Sequence, residues 1–342
     1  MHPVFIHGVS VNRSWRDTSR SLGELIFANV SSALADAGMT AADADSVVLG
    51  AHDVVDGRGL TSMVTAPAAA AYLKDEVRLS EDGLHAMVQA IARVRCGHSK
   101  VSVVAAWGRL SEGQPDGIAN AMFDPFFSRP LGMTEVAVSA LRASSALRQY
   151  PDYAEFRSAA GQHRTRGDDD PRRAPSLPLP LRSSELPWWA DVTASAVISS
   201  EPGPVELIGV GMGSEPFELG DRDLLGLPAL RVASAGALDM ARAKVGDIDV
   251  LELDGLTLFD DALAAEAVGA AERGTGMKFL AEGNRVNRDG GSAAGYGAPA
   301  MGLVRLGAAY AQLRGSAGRM ALISGGSTVA AQTQAAVVAV AR

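Results

Sequence analysis

Residues 33–49, ALADAGMTAADADSVVL, and residues 237–253, ALDMARAKVGDIDVLEL, decide how the chain is read, because the second echoes the first. Ala33, Leu34, Ala37, Asp43, Asp45 and Leu49 match Ala237, Leu238, Ala241, Asp247, Asp249 and Leu253 at a constant offset of 204 residues. Each copy is the end of a helical pattern, a turn and a short buried strand, so the order of elements repeats along with the letters. Outward from the first copy, Val4-Phe5-Ile6 followed by Gly8 reads as a strand, and Leu22 to Ala37 carries apolar residues at helical spacing before Gly38. Beyond it, Ser46 to Leu49 is a strand, a helix opens from the 77–87 stretch, near Leu84, and runs to about Cys96, and Val101 to Ala106 is another strand. Around the second copy the same pattern predicts strands over 206–210, 249–253 and 319–324 and helices over 230–243 and 297–313. Apolar strands alternating with helices mean an α/β fold, its parallel or mixed sheet covered on both faces, and here two similar halves packed together.

With 342 residues, 47% of them hydrophobic, the chain can bury a large core. Lys and Arg total 31 against 39 Asp and Glu, a net charge of −8, which argues against a duplex nucleic acid partner. A single cysteine, Cys96, makes neither an internal disulfide nor a thiolate metal cluster and fits a reducing cytoplasm. Its place at the far end of a helix suggests a small buried thiol. No signal-peptide pattern opens the sequence and no apolar run approaches the ~20 residues of a membrane span, so a soluble cytoplasmic protein without membrane contact is expected.

Between the halves, from about Glu112 to Pro187, the alternation breaks down. The expected organisation is residues 1–111 as one half, 112–187 as a long loop insertion with a helical stretch from Met133 to Arg148, and 188–342 as the second half. Segments of that length act as lids or binding loops, while residues 162–175, rich in both signs of charge, read equally as a solvated spacer.

Two stretches could carry chemistry. In residues 77–87, VRLSEDGLHAM, Ser80 stands at a strand-to-helix elbow, either as a nucleophile or as a helix cap followed by Glu81 and Asp82. In residues 286–302, VNRDGGSAAGYGAPAMG, Gly290 and Gly291 precede a helix, where backbone amides and the helix start favour an oxyanion, and Gly325 with Gly326 form a second turn of that kind at a strand end. The spacing matches neither a phosphate-binding P-loop nor a dinucleotide fingerprint. His85 reads as a core or dimer-contact residue rather than a base, and His52, His98 and His163 fall in turns or loops without a visible partner.

The duplicated pattern, Ala33 to Gly38, the 249–252 strand with Glu266 and Gly269 beyond it, the turn from Asn287 to Gly291 and the terminal Gly325-Gly326 together resemble the thiolase superfamily, and within it the sterol-carrier-protein-type thiolases. The resemblance spans nearly the whole chain. It implies a thiolase-like five-layer αβαβα fold with an inserted loop domain, a homodimer, and action on acyl-CoA thioesters, with CoA belonging to the substrate rather than to a resident cofactor or metal. Carried over residue by residue, the family's nucleophilic cysteine falls on Ser80 and its histidine on Tyr296. The Asn or His that helps form an oxyanion hole falls on Asp254. The second cysteine has no counterpart, Ser324 being nearest.

A serine hydroxyl needs an adjacent base, and with tyrosine in the histidine position that base is missing. What the fold retains is a set of preorganised donors for a thioester enolate. Tyr296 resembles the steroid side-chain aldolase branch, which implies retro-aldol carbon–carbon cleavage through Tyr296, with Asp254 and backbone donors at Gly290, Gly291, Gly325 and Gly326 assisting. That branch implies a small partner subunit with an OB-like fold and zinc ribbon. Asp254 departs from its pattern, where a second tyrosine is expected. Plain alternatives are a strand-end turn residue at Asp254, a space-filling ring at Tyr296, and for the chain as a whole a non-catalytic acyl-CoA-binding scaffold or a serine-dependent acyltransferase. Arg164, Arg166, Arg172 and Arg173 are candidates for CoA phosphates, offset by Asp168, Asp169 and Asp170 among them.

Overall fold

The computed structural model describes residues 2–16, 19–57, 59, 62–162, 173–283, 286–327 and 329–342. Its strands are β1 (Phe5–Ser14), β2 (Ser46–Gly50), β3 (Asp75–Leu79), β4 (Val101–Arg109), β5 (Asp191–Ser199), β6 (Val205–Ser214), β7 (Val250–Glu252), β8 (Met320–Gly326) and β9 (Thr333–Ala341). Between them lie α1 (Leu22–Asp36), α2 (Asp53–Asp56), α3 (Ser62–Ala68), α4 (Gly83–Arg95), α5 (Pro115–Ala121), α6 (Glu135–Gln149), α7 (Pro151–Gln162), α8 (Pro228–Ala241), α9 (Leu258–Ala267), α10 (Gly276–Glu282) and α11 (Met301–Leu313).

The strands hydrogen-bond in the order β3-β2-β4-β5-β1-β6-β9-β8-β7. Read from the two ends, β2-β4-β5-β1 mirrors β7-β8-β9-β6, with the same parallel and antiparallel pairings. The halves meet where β1 and β6 pair through Phe5–Glu206 and Ile6–Val205. Even the irregularities repeat: β1 bulges between Ile6 and Gly8, and β6 between Leu207 and Gly209. A parallel bridge between Leu251 and Val286 marks where a counterpart of β3 would lie. The short 3-10 turns Ala41–Asp43 and Val245–Asp247 sit at the 204-residue offset seen in the sequence.

Five layers follow from which helices touch which strands. Helices α4 and α11 pack on each other and against strands of both halves, while α1 covers β1, β4 and β5 on one outer face and α8 covers β6, β8 and β9 on the other. The first turns of both central helices are therefore buried all round, while Ala92 of α4 and Ala311 of α11, nearer their ends, reach solvent. In α4, Leu84, Met87, Ile91 and Val94 are fully buried, each contributing about 1.5–3 kcal/mol.

Four sequence expectations are corrected. The first strand does not end at Ile6: it bulges at His7, Gly8 pairs with Val197, and the strand runs on to Ser14. Strands β5 and β9 were not expected: small residues, Ala194, Ser195 and Ala196 in the one and Ala335, Ala336, Ala339 and Ala341 in the other, make a weak strand signal. The insertion between β4 and β5 is more helical than expected: besides α6, which matches the expected stretch from Met133 to Arg148, it holds α5 and α7. Cys96 is exposed at the end of α4, not buried. No helix among the described residues is long and apolar enough to cross a membrane.

Candidate active site

A cavity of about 50 Å³ opens at the C-terminal ends of β7 and β8, between the second half and the insertion. Tyr296, Asp254, Gly326 and Gln334 line it from the core side, and Glu135, Ser139 and Arg142 of α6 from the insertion. Tyr296 is fixed by main chain: its N–H donates to Trp188 O at 2.6 Å and its carbonyl accepts from Ala190 N–H at 2.9 Å, closing a bridge to Trp189. Glycines make this crossing possible. A Cβ on Gly297 would stand 2.5 Å from the Val192 side chain, and one on Gly108 of β4 would stand 2.1 Å from Ala298 O.

The Tyr296 phenol donates to Glu135 Oε2 at 2.7 Å, and both residues are at least nine-tenths buried. Glu135 is the group that sequence reasoning missed. It is the first residue of α6, after the N-cap Thr134, where the helix dipole favours a carboxylate. Burial outweighs that: desolvation raises Glu135 from 4.5 to about 8, with the Tyr296 hydrogen bond opposing and the Asp254 charge adding. Tyr296 is pushed well above its ordinary value by burial and by the carboxylate it faces. The phenol is thus a proton donor or relay, and the titrating partner is the carboxyl.

The other carboxylates around the cavity meet guanidinium groups. Asp254 Oδ1 lies 2.9 Å from Arg305 Nη1 and its Oδ2 accepts from Gln334 Nε2 at 2.9 Å. Asp260 pairs with Arg142 at 2.9 Å, and Glu215 with Arg222 at 3.5 Å. Asp254 is therefore on the cavity wall with its charge matched, and its own N–H donates to Ser324 Oγ at 2.7 Å.

Ser80 is not the helix cap. That role belongs to Asp82, whose Oδ1 accepts from Leu84 N–H at 2.9 Å while its Oδ2 accepts from Gly302 N–H at 2.8 Å, closing the starts of both central helices. Ser80 is exposed in the turn after β3, and the cavity around Tyr296 draws no lining residue from that elbow. Replacing Ser80 with Ala is therefore expected to change kcat/KM in any turnover by less than about twofold, whereas an acyl-carrying serine would lose on the order of a hundredfold or more. Of the four glycines singled out, Gly326 lines the cavity. Gly325 packs on Asp82, and Gly290 and Gly291 shape the turn ahead of Tyr296, with Gly291 O accepting from Arg13.

His85 is buried beside Thr333 and pushed down to about 4 by desolvation, so it stays neutral. Two other histidines do have partners: His52 caps α2 through Val54 N–H, and His98 meets Asp75 at 2.6 Å. Arg173 is buried and donates to Trp189 O at 2.9 Å, bracing the strand beside Tyr296 rather than offering a charge to phosphate. Arg164, Arg166, Arg172, His163 and the Asp168–Asp170 run lie outside the described residues.

The buried acids predict a pH dependence of stability. Burial raises Glu135 to about 8, and Asp82 and Glu252 each to about 7. Because these folded values exceed the unfolded ones, the stability held by the neutral forms is complete below about pH 4 and is lost as pH rises through 7 to 8. His85 acts in the opposite sense, losing stability as pH falls from 6.5 toward 4. Because three acids outweigh one histidine between about pH 4 and 6.5, the melting temperature set by these groups should be highest near about pH 4 and fall until about pH 8. In calorimetry across that range Glu135→Gln should flatten the fall; an unchanged slope means that Glu135 does not titrate on unfolding.

A family model described as thiolase C-terminal domain-like matches residues 213–340. No curated protein matches the sequence. Among solved structures the chain is similar to the Ltp2-ChsH2(DUF35) aldolase, with a TM-score of 0.78 at 18% identity over 99% of this chain and 98% of that one. It is similar to human mitochondrial 3-ketoacyl-CoA thiolase, with a TM-score of 0.76 at 13% identity over 100% and 99%. A monomeric SCP2-thiolase-like protein type 1 from Mycobacterium smegmatis gives 0.68 at 18% identity over 99% and 77%. Residues 213–340 thus match the thiolase C-terminal domain-like family model, and the whole chain shares the fold of these thiolase-like structures.

Proposed function

We propose that the chain breaks, or in reverse makes, the carbon–carbon bond of a β-hydroxyacyl-CoA thioester by an aldol-type reaction without an acyl-enzyme. The observation that carries this reading is the buried Tyr296–Glu135 hydrogen bond facing a cavity at the end of β7 and β8. The substrate β-hydroxyl gives its proton to the Tyr296 oxygen as the phenol gives its own to ionised Glu135. The oxygen's electrons form the carbonyl, the Cα–Cβ bond breaks, and its electron pair moves into the thioester enolate. Return of a proton to Cα leaves a free aldehyde or ketone and a shortened acyl-CoA. Gly326 brings main chain to the cavity wall where an enolate oxygen can meet backbone dipoles. Arg305 keeps the neighbouring Asp254 from acting as a bare negative charge. Because Glu135 must be ionised, the rate rises with pH up to about 8.

CoA is the substrate's carrier in this reading, and no resident cofactor is assigned. A homodimer is supported by the free edge of β3 and by Met63, Val64, Tyr72 and Leu73, which are exposed in the segment leading into it. The similar aldolase is named as two components, and Phe126, Phe127 and Leu131 in the insertion present an apolar surface to such a partner subunit, for which a small OB-fold and zinc-ribbon protein is the proposal. A cytoplasmic setting completes the proposal.

The test is incubation with β-hydroxyacyl-CoA esters, with the chain alone and with a candidate partner, following carbonyl release. A carbonyl compound and a shortened acyl-CoA in equal amounts support the reading. The second reading, a non-catalytic acyl-CoA-binding subunit, is favoured by the small volume of the cavity; it expects CoA-ester binding and no carbonyl under either condition.

A further inference from the structure

Tyr296 and Glu135 have a second face. Behind them, away from the polar cavity, lies another of about 20 Å³ lined by Val55, Leu110, Ile118, Met122, Trp189 and Ala298. Apart from Glu135 and the Tyr296 phenol, its lining side chains are apolar or, in Trp189, aromatic. The Tyr296–Glu135 pair is therefore the partition between a chamber rich in charge and a chamber without it. The aromatic wall is fixed, since Trp189 packs against Tyr296 with ring centroids 5.7 Å apart and is bridged to it through the main chain. The opposite wall is α5, a helix of seven residues whose packing is mainly on α2 and on the turn Leu110–Glu112.

We infer that this apolar cavity holds the alkyl group on the β-carbon, so that the carbonyl half of the substrate is a short aliphatic aldehyde or ketone. The inference rests on the aldol reading, which puts the β-hydroxyl on the Tyr296 phenol. The β-carbon is bonded to that oxygen, so its remaining substituent lies beside the partition. On the polar side that substituent would desolvate Glu215, Asp254 and Asp260; on the other, beyond the Tyr296–Glu135 pair that both cavities share, its walls are apolar. About 20 Å³ of such space accommodates a group of one or two carbons at rest. Longer chains require α5 to move, and a fused-ring substituent does not fit.

The experiment measures binding first and turnover second. Binding of 2-alkanones of increasing length is followed by ligand-detected NMR, with Trp189 emission as the local reporter. Each carbon that fits should raise affinity about fourfold, with a cut-off at short length in the unmodified chain. Ile118→Ala should move the cut-off outward by one or more carbons, and Ala119→Phe should abolish binding. The same cut-off should then appear in kcat/KM for β-hydroxyacyl-CoA esters that differ in the β-substituent. A cut-off that neither variant moves, or affinity that ignores chain length, overturns the assignment of the cavity. Length-dependent ketone binding without turnover leaves the cavity standing and overturns the aldol reading; turnover with an unmoved length profile does the reverse.

Discussion

Tyr296→Phe is expected to lower carbonyl release by about 10²–10⁴-fold, the range that a positioned proton-transfer group supplies. The substitution keeps the ring against Trp189 and the bridge to residues 188–190, so folding and CoA-ester binding should survive. What disappears is the path from a β-hydroxyl to Glu135, which the phenol completes at 2.7 Å. Glu135→Gln should fall into the same range, and the double variant should be no worse than either single one, because the two residues act as one relay. Steady-state kinetics of all three variants decide the matter. Near-full activity in Tyr296→Phe means that the phenol fills space and carries no proton.

The second large effect concerns stability. Arg305 is 1% exposed in α11, with Asp254 at 2.9 Å and the charges of Asp82 and Glu252 acting on the same guanidinium. Removing one partner of a buried ion pair strands the other, which costs about 3–5 kcal/mol. Arg305→Leu should lose about that much in urea unfolding, and adding Asp254→Asn should restore part of it by neutralising the stranded carboxylate. A loss below about 1 kcal/mol in the single variant would place Asp254 in solvent-screened surroundings instead. The same pair bears on function, since without Arg305 the cavity would face an enolate with an unmatched negative charge.

The fold was legible because duplication leaves two independent traces of one arrangement. The 33–49 and 237–253 segments agree in letters and in the order of helix, turn and strand, and the sheet pairs them across β1 and β6. Strands β5 and β9 stayed hidden because small residues, Ala194 to Ala196 in the one and four alanines in the other, favour a strand weakly, and alanine is the best helix former. At the site, Tyr296 was found through the resemblance to the family's histidine position, and the structure shows why glycine follows it: a Cβ on Gly297 would stand 2.5 Å from the Val192 side chain. Glu135 gave no such signal. It lies 161 residues from Tyr296 in the chain, and an acidic residue after threonine at a helix start is what any capped helix shows. The elbow misled for a related reason: Ser80 and Asp82 are both good caps by residue type, and only the hydrogen bonds to Leu84 and Gly302 choose between them.

The most direct measurement of the central claim is the isotope content of the shortened acyl-CoA formed in heavy water. A thioester enolate released by carbon–carbon cleavage takes its new hydrogen at Cα from the Glu135–Tyr296 pair or from solvent, both deuterated there. One deuterium at Cα, one free carbonyl per acyl-CoA and no free CoA thiol is the predicted result. Thiol release, with no carbonyl and no deuterium at Cα, would contradict it.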